Sequence, residues 1–99
     1  MNALARKALR TIHGCVADGR YRLLEHFVQR MDDRGLFWPD IQAVLNSALA
    51  VEDDGPDTFG RDKWRVRGQT TDRLDLEIVC VLDRDESGNL AVFITAYWE

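Results

Sequence analysis

Leu74-Asp75-Leu76-Glu77-Ile78-Val79-Cys80-Val81-Leu82 is the stretch whose reading decides the fold. Leu74, Leu76, Ile78, Cys80 and Leu82 recur at every second position, the spacing at which strand side chains share one face of a sheet. The stretch is short and bounded by polar turn residues, which favours a strand over a helix of equal apolar content. Two flanking stretches repeat the alternation. Residues 63–68 set Trp64 and Val66 against Lys63, Arg65 and Arg67. Residues 90–98 set Leu90, Val92, Ile94, Ala96 and Trp98 against Ala91, Phe93, Thr95 and Tyr97. The links at 69–73 and 83–89 are polar and compatible with hairpins. The C-terminal third therefore predicts an antiparallel sheet of three to four strands.

Upstream of it the period changes. Leu4, Ala8, Leu9, Ile12 and Val16 recur at helical spacing over 2–17, and Asp18-Gly19 is a stop signal. A connection at 20–24, free to be extended, leads to a second helix over 25–33 with Phe27, Val28 and Met31 as its apolar stripe. Trp38-Pro39-Asp40 opens a third helix, since proline is tolerated in a first turn, and Ile41, Val44, Leu45 and Ala48 carry it to about Leu49. Residues 52–60, Glu-Asp-Asp-Gly-Pro-Asp-Thr-Phe-Gly, are acidic and rich in turn formers, and predict a mobile loop. The fold class is α+β, with N-terminal helices packed on one face of a C-terminal sheet in a single domain over 1–99.

Composition bounds the function. A chain of 99 residues, 45% hydrophobic and 30% charged, has enough apolar surface for one core and is not of disordered composition. The net charge of −4 argues against tight, non-specific nucleic-acid binding unless basic residues cluster locally. Cys15 and Cys80 have no CxxC spacing and read as two buried free thiols. No apolar run is long enough for a membrane span, and the first ten residues, broken by Arg6, Lys7 and Arg10, have no signal-peptide core. The expected location is the cytoplasm, with no membrane partner.

The sheet face left open by the helices carries the chemistry. It combines Lys63, Arg65 and Arg67 with Asp75, Glu77, Val79 and Val81, then Ala91, Phe93, Thr95 and Tyr97. Arginine and lysine hold phosphates, and bases stack on aromatic rings. The same residues also read as an ordinary solvated face, in which Asp75 and Glu77 pair across strands with Arg65 and Arg67 for ~0.2–1 kcal/mol each. On the second helix, His26, Arg30 and Arg34 are spaced i, i+4, i+8, an imidazole beside two guanidiniums. RNA cleavage by the 2′-hydroxyl needs a base, an acid and cations for the crowded phosphorus, and a histidine of pKa ~6.5 serves as either acid or base. Alternatively His26 caps or packs, and the two arginines pair with Glu25, Asp32 or Asp33. His13 reads as structural. His13, Cys15, His26 and Cys80 lack metal-ligand spacing, so neither a metal nor another cofactor is expected.

From Arg20 onward the chain resembles a small bacterial family, the domains of unknown function numbered 4258. The resemblance rests on Gly19-Arg20-Tyr21, on His26 with Arg30-Met31 and Arg34-Gly35, on Trp38-Pro39-Asp40-Ile41, and on Ile94-Thr95-Ala96-Tyr97. That family is similar in fold to the RelE-like, barnase-like and colicin-like ribonuclease toxins, in which helices precede a curved antiparallel sheet with the active site on its open face. The resemblance implies a metal-independent endoribonuclease, as in the toxin of a toxin–antitoxin pair. His26, Arg30, Arg65 and Thr95 would be its catalytic residues, Arg34, Lys63 and Arg67 its phosphate contacts, and Phe93 or Tyr97 its base-stacking ring. RNA and an antitoxin would be its partners. The competing expectation is a non-catalytic interaction domain that kept the fold. It would dock a protein through Phe37, Phe59 and Trp98, or pair the strand over 63–68 or the one over 90–98, as a sheet edge, into a homodimer.

Overall fold

The computed structural model describes residues 1–98; Glu99, the last position of the expected domain, lies outside the described residues. Asn2 caps the first helix, α1 (Ala3–Ala17), by accepting from the Ala5 amide at 2.8 Å, and Ala5, Ala8, Ile12 and Cys15 form its buried stripe. A short strand, β1 (Tyr21–Leu23), leads into α2 (Glu25–Arg34), which buries Phe27 and Met31. Gly35 ends α2 at φ 65°, the left-handed conformation that lets the Leu36 amide reach back to the Met31 carbonyl at 2.8 Å. α3 (Trp38–Ser47) begins with Pro39 in its first turn. Four strands follow: β2 (Ala50–Pro56), β3 (Asp62–Gln69), β4 (Asp75–Asp85) and β5 (Gly88–Trp98).

The α+β class and the order of helices before strands agree with the sequence reading, but the sheet requires three corrections. Among the described residues it has five strands, in the order β1-β5-β4-β3-β2, rather than three to four, so β3 and β5 are interior and neither is the edge expected to pair into a homodimer. It is mixed rather than antiparallel, because β1 runs parallel to β5, with Tyr21, Arg22 and Leu23 opposite Ala91, Val92 and Phe93. The acidic segment expected to be a loop is largely strand β2, which pairs with β3 and places Glu52 opposite Arg65. Acidic residues, glycine and proline disfavour strands locally; here cross-strand charge pairing with a basic neighbour offsets that preference. α3 also stops at Ser47, short of Leu49.

One cluster of buried side chains joins all three helices to one face of the sheet. Gly68 lies where α3 crosses β3. A Cβ built there would stand 2.3 Å from the Val44 carbonyl oxygen, so only glycine permits the approach. The Ser47 hydroxyl accepts from the Gln69 amide at 2.8 Å and fixes the same crossing. At the other end of α3, Asp40 accepts from the Phe37 amide at 3.0 Å and from the Thr71 hydroxyl. These bonds hold its carboxyl below the usual carboxylate range, the Thr71 bond most.

A bulge decides which side chains of β5 face the helices. Val79 is opposite Thr95, yet Cys80 is opposite Phe93, so Ile94 is an extra residue in the ladder. The extra residue inverts the first half of β5 relative to strict alternation. Ala91 and Phe93 enter the core, while Leu90 and Val92 lie on the opposite face with Asp83 and Val81. Beyond the bulge the expected phase holds, with Ala96 and Trp98 on the helix side and Thr95 and Tyr97 on the other.

Candidate functional site

Helix α2 sets the site. Phe27 and Met31 hold one stripe of the helix in the core, which turns the flank carrying His26 and Arg30 outward. His26 is exposed and Arg30 half-buried. With Gln29 and Asp33 they line a shallow cleft of about 250 Å³. The cleft thus gathers an imidazole, a guanidinium, an amide and a carboxylate, the group types used for proton transfer beside a stabilised negative charge. Among the described residues, no carboxylate is within ion-pairing distance of Arg22, Arg30 or Arg34. The Nε atoms of Arg30 and Arg34 are shut from solvent without an acceptor among the described residues. Pairing of these arginines with Glu25, Asp32 or Asp33 is therefore not found.

The cations of β3 are differently placed. Arg65 donates through Nε and Nη2 to one oxygen of Asp54 at 2.9 and 2.8 Å, and its Nη1 lies 3.8 Å from Glu77. Lys63 lies 3.5 Å from the other oxygen of Asp54, and Arg67 is 3.3 Å from Glu52. The hydrogen bond from Arg65, with Lys63 adding its charge, holds the Asp54 carboxyl below the usual range. Each basic side chain of the proposed phosphate surface thus has a carboxylate already. Two of those carboxylates, Glu52 and Asp54, come from β2; of the two partners expected, Glu77 stands opposite Arg67 and pairs with Arg65, and Asp75 pairs with neither arginine. Asp75 stands opposite Gln69 and accepts from its side chain at 3.3 Å.

Thr95 occupies one cross-strand row with Val79 and Arg65 on the face away from the helices. Two strand spacings put Thr95 about 10 Å from the Arg65 backbone. Asp54, on the far side of β3, holds the Arg65 guanidinium. The Thr95 hydroxyl is shut from solvent and has no hydrogen-bond partner among the described residues. The Leu24 amide donates to the Phe93 carbonyl at 3.1 Å, which fixes the start of α2 against β5, two residues from Thr95. Tyr97 is half-exposed on the same face, opposite Glu77. Phe93 needs correction as a base-stacking residue. The bulge carries it to the helix side, where it is fully buried among Phe27, Trp38 and Tyr21, with ring centroids 5.5, 5.8 and 6.4 Å away.

The structure therefore brings His26 and Arg30 together, with Arg34 one turn further along the helix. It leaves Lys63, Arg65 and Arg67 two strands away from β5. Gln29, Asp33, Glu52 and Asp54 were missed as contributors. Asp33 follows His26 by seven residues, which is one helical flank, and Glu52-x-Asp54 matches Lys63-x-Arg65-x-Arg67 in period and opposite charge. Among the described residues, no group of three or more His, Cys, Asp or Glu side chains is arranged to hold a metal, and no helix is long and apolar enough to cross a membrane. Cys15 and Cys80 are buried free thiols, and burial raises both pKa values.

The profile described as "Domain of unknown function (DUF4258)" matches residues 23–98. The chain belongs to that family. No curated protein and no solved structure matches it, and nothing in these comparisons links it to the ribonuclease toxins. Most of the motif residues that carried the resemblance prove architectural in this DUF4258 domain. Tyr21 and Trp38 stack at 4.8 Å and 11°, Gly35 ends α2, and Asp40 caps α3. His26, Arg30, Arg34, Thr95 and Tyr97 are motif residues for which packing gives no such account.

Proposed function

We infer that this DUF4258 domain is an RNA-contacting, ribonuclease-like protein whose working group is on α2 rather than on β3. His26 would move the proton, and Arg30, assisted by Arg34, would stabilise charge on the phosphate. The supporting observation is the shared cleft of His26 and Arg30, where neither arginine of the stripe has a carboxylate partner among the described residues. Cleavage through the 2′-hydroxyl also needs a second proton-transfer group, and Asp33, which lines the same cleft, would supply it. In a toxin setting, an antitoxin would cover this flank of α2.

Purified protein should degrade single-stranded RNA in the presence of a chelator, and His26→Ala and Arg30→Ala should each remove that activity at unchanged thermal stability. Lys63→Ala should leave it nearly intact. Intact RNA at high protein concentration, from protein shown to be folded, overturns the catalytic reading.

A non-catalytic interaction domain is the second reading. It is favoured by the ion-paired state of the β3 cations and by Phe37 and Phe59, which are 72% and 81% exposed. Under it, Phe37→Ser abolishes recovery of a protein partner and His26→Ala does not.

A further inference from the structure

Helix α1 concentrates positive charge in an acidic chain. It holds three of the 13 lysines and arginines and none of the 17 carboxylate side chains. Its buried stripe, Ala5, Ala8, Ile12 and Cys15, fixes which flanks meet solvent. At ~100° per residue Arg10 stands opposite that stripe, and Arg6 and His13, seven residues apart, share the flank toward α3. Leu4 and Lys7 fall on the other flank, in a cleft where Asp62 and Asp83 offset the Lys7 charge.

On the His13 side, α1 and α3 enclose a shallow groove of about 340 Å³. His13 lines one wall, and Gln42 and Asn46, four residues apart on α3, line the other over an apolar floor that includes Val16 and Leu45. No carboxylate is among the residues that line it. The one acidic residue of α3, Asp40, is buried and holds the helix start. Asp18, at the end of α1, lines a different cleft with Arg20. Asp53, on the strand β2 that α1 also touches, accepts from the Gly55 amide at 2.9 Å. Among the described residues, neither Arg6 nor Arg10 has a carboxylate within ion-pairing distance. The groove and its approach therefore present cations and amides without countercharge, the reverse of the situation on β3.

We propose that the α1–α3 groove is a docking surface for the sugar–phosphate backbone of RNA. Arg6 and Arg10 neutralise phosphates, and Gln42 and Asn46, with His13, hydrogen-bond phosphate or ribose oxygens. The proposal rests on the RNA-contacting reading of the domain and adds to it a surface that holds the strand without cleaving it. Two other partners fit the surface less well. An anionic membrane binds a helix through an apolar face, and that of α1 is in the core. A protein interface has a buried apolar centre, whereas this flank sets cations and amides above its floor. The chain's net charge of −4 does not prevent docking. The Debye length at physiological salt, ~8 Å, is shorter than the ~10–12 Å width of the helix that separates Arg10 from the body.

The test titrates the full chain against a fluorescent 2′-O-methyl oligoribonucleotide and reads anisotropy between ~50 and ~200 mM salt. Such a strand has no free 2′-hydroxyl and is not cleaved. Arg6→Gln and Arg10→Gln, both at exposed positions, should each lower the slope of log K against log salt by about 0.7, and the double variant by about 1.4. Gln42→Ala with Asn46→Ala should weaken binding about fivefold at an unchanged slope, because neutral hydrogen bonds release no counterions. Arg73→Gln, at an exposed arginine in the turn between β3 and β4, makes the same change in net charge and should leave the slope as it is. An equal fall in slope in Arg73→Gln overturns the proposal, as does an unchanged slope in the Arg6/Arg10 double variant or an undiminished affinity in the amide double variant. If the arginine double variant loses binding to phosphatidylserine vesicles while its RNA slope holds, the surface serves a membrane and the proposal fails. Tighter binding of an oligodeoxyribonucleotide of equal length through the same arginines assigns the groove to DNA and likewise overturns it. Intact RNA in the cleavage assay counts against His26 alone, since binding of the 2′-O-methyl strand is read whether or not α2 cleaves.

Discussion

Asp54→Asn is the substitution that most directly measures how far the protein masks its own basic strand. The Asp54 carboxylate engages two cations at once, Arg65 at 2.8 Å and Lys63 at 3.5 Å, on the face that also carries Thr95 and Tyr97. Neutralising it leaves Lys63 without a partner and Arg65 with only the longer contact to Glu77 at 3.8 Å. Two positive charges then become available to a polyanion. For single-stranded nucleic acid, each phosphate neutralised adds ~0.7 to the slope of log K against log salt. The variant's slope should therefore be steeper than that of the natural sequence by about 1.4, an extra loss of about sevenfold in affinity between ~50 and ~200 mM salt.

Fluorescence anisotropy of a labelled oligoribonucleotide of about a dozen bases, titrated across that salt range, reads the slope directly. Asp53→Asn is the matched control. It makes the same change in net charge on the same strand, but among the described residues Asp53 pairs with no cation and accepts from the Gly55 amide at 2.9 Å. If net charge alone governs binding, the two variants behave alike. If the slope of Asp54→Asn equals that of the control, the basic strand does not contact RNA even when unmasked, and the sheet face drops out of the site altogether.

Other outcomes follow from the same structure. Thr95→Val removes a buried hydroxyl that has no partner, so thermal stability should be unchanged or higher by up to ~1 kcal/mol; a simultaneous loss of RNA cleavage would mark Thr95 as a functional rather than a packing residue. Gly68→Ala should cost about 2–3 kcal/mol in urea unfolding, because its methyl group meets the Val44 carbonyl rather than a side chain that can move aside. Asp40→Asn should cost about 1–2 kcal/mol near neutral pH through the weakened cap. Because the folded pKa of Asp40 lies below its unfolded value of 3.8, its contribution is complete above pH 3.8 and is lost as pH falls through the folded pKa, so the variant's stability should decline less steeply over that acid range.

What was legible in the sequence was whatever depends on a residue and its near neighbours. α1, α2 and α3 are visible because their apolar stripes, the Gly35 stop and the Pro39 start act within a few residues. The alternation of β3 and β4 is visible for the same reason. β1 was legible only as a connection free to be extended, and β2 was read as a loop, because neither has a pattern of its own. Three residues suffice for β1 because β5 supplies an edge and Phe93 a ring to pack on. β2 is an acidic, glycine- and proline-containing segment that is a strand beside Lys63, Arg65 and Arg67 and would have no reason to be one elsewhere. The His26–Arg30 pairing was legible because one helix carries both. The relation of that pair to Arg65 was not, since it depends on which carboxylates a distant strand brings.

Ile94 shows how one residue can change a functional reading. Without it, strict alternation would place Phe93 beside Thr95 and Tyr97 on the open face, a hydroxyl between two rings next to a basic strand, which is the composition of a base-stacking surface. With it, Phe93 becomes the centre of a four-ring cluster that ties β1, α2 and α3 to β5. The same slip puts Val92 beside Val81 on the other face, where Val79, Val81 and Val92 are buried without joining the main core. That face is thus floored by small apolar side chains rather than by rings, and its polar rim is closed by ion pairs. A surface of that kind offers a nucleic-acid base little to stack on except Tyr97. The bulge therefore shifts the weight of any RNA-directed chemistry from the sheet to the exposed flank of α2, which it leaves anchored against β5 through Phe27 and the Leu24 amide.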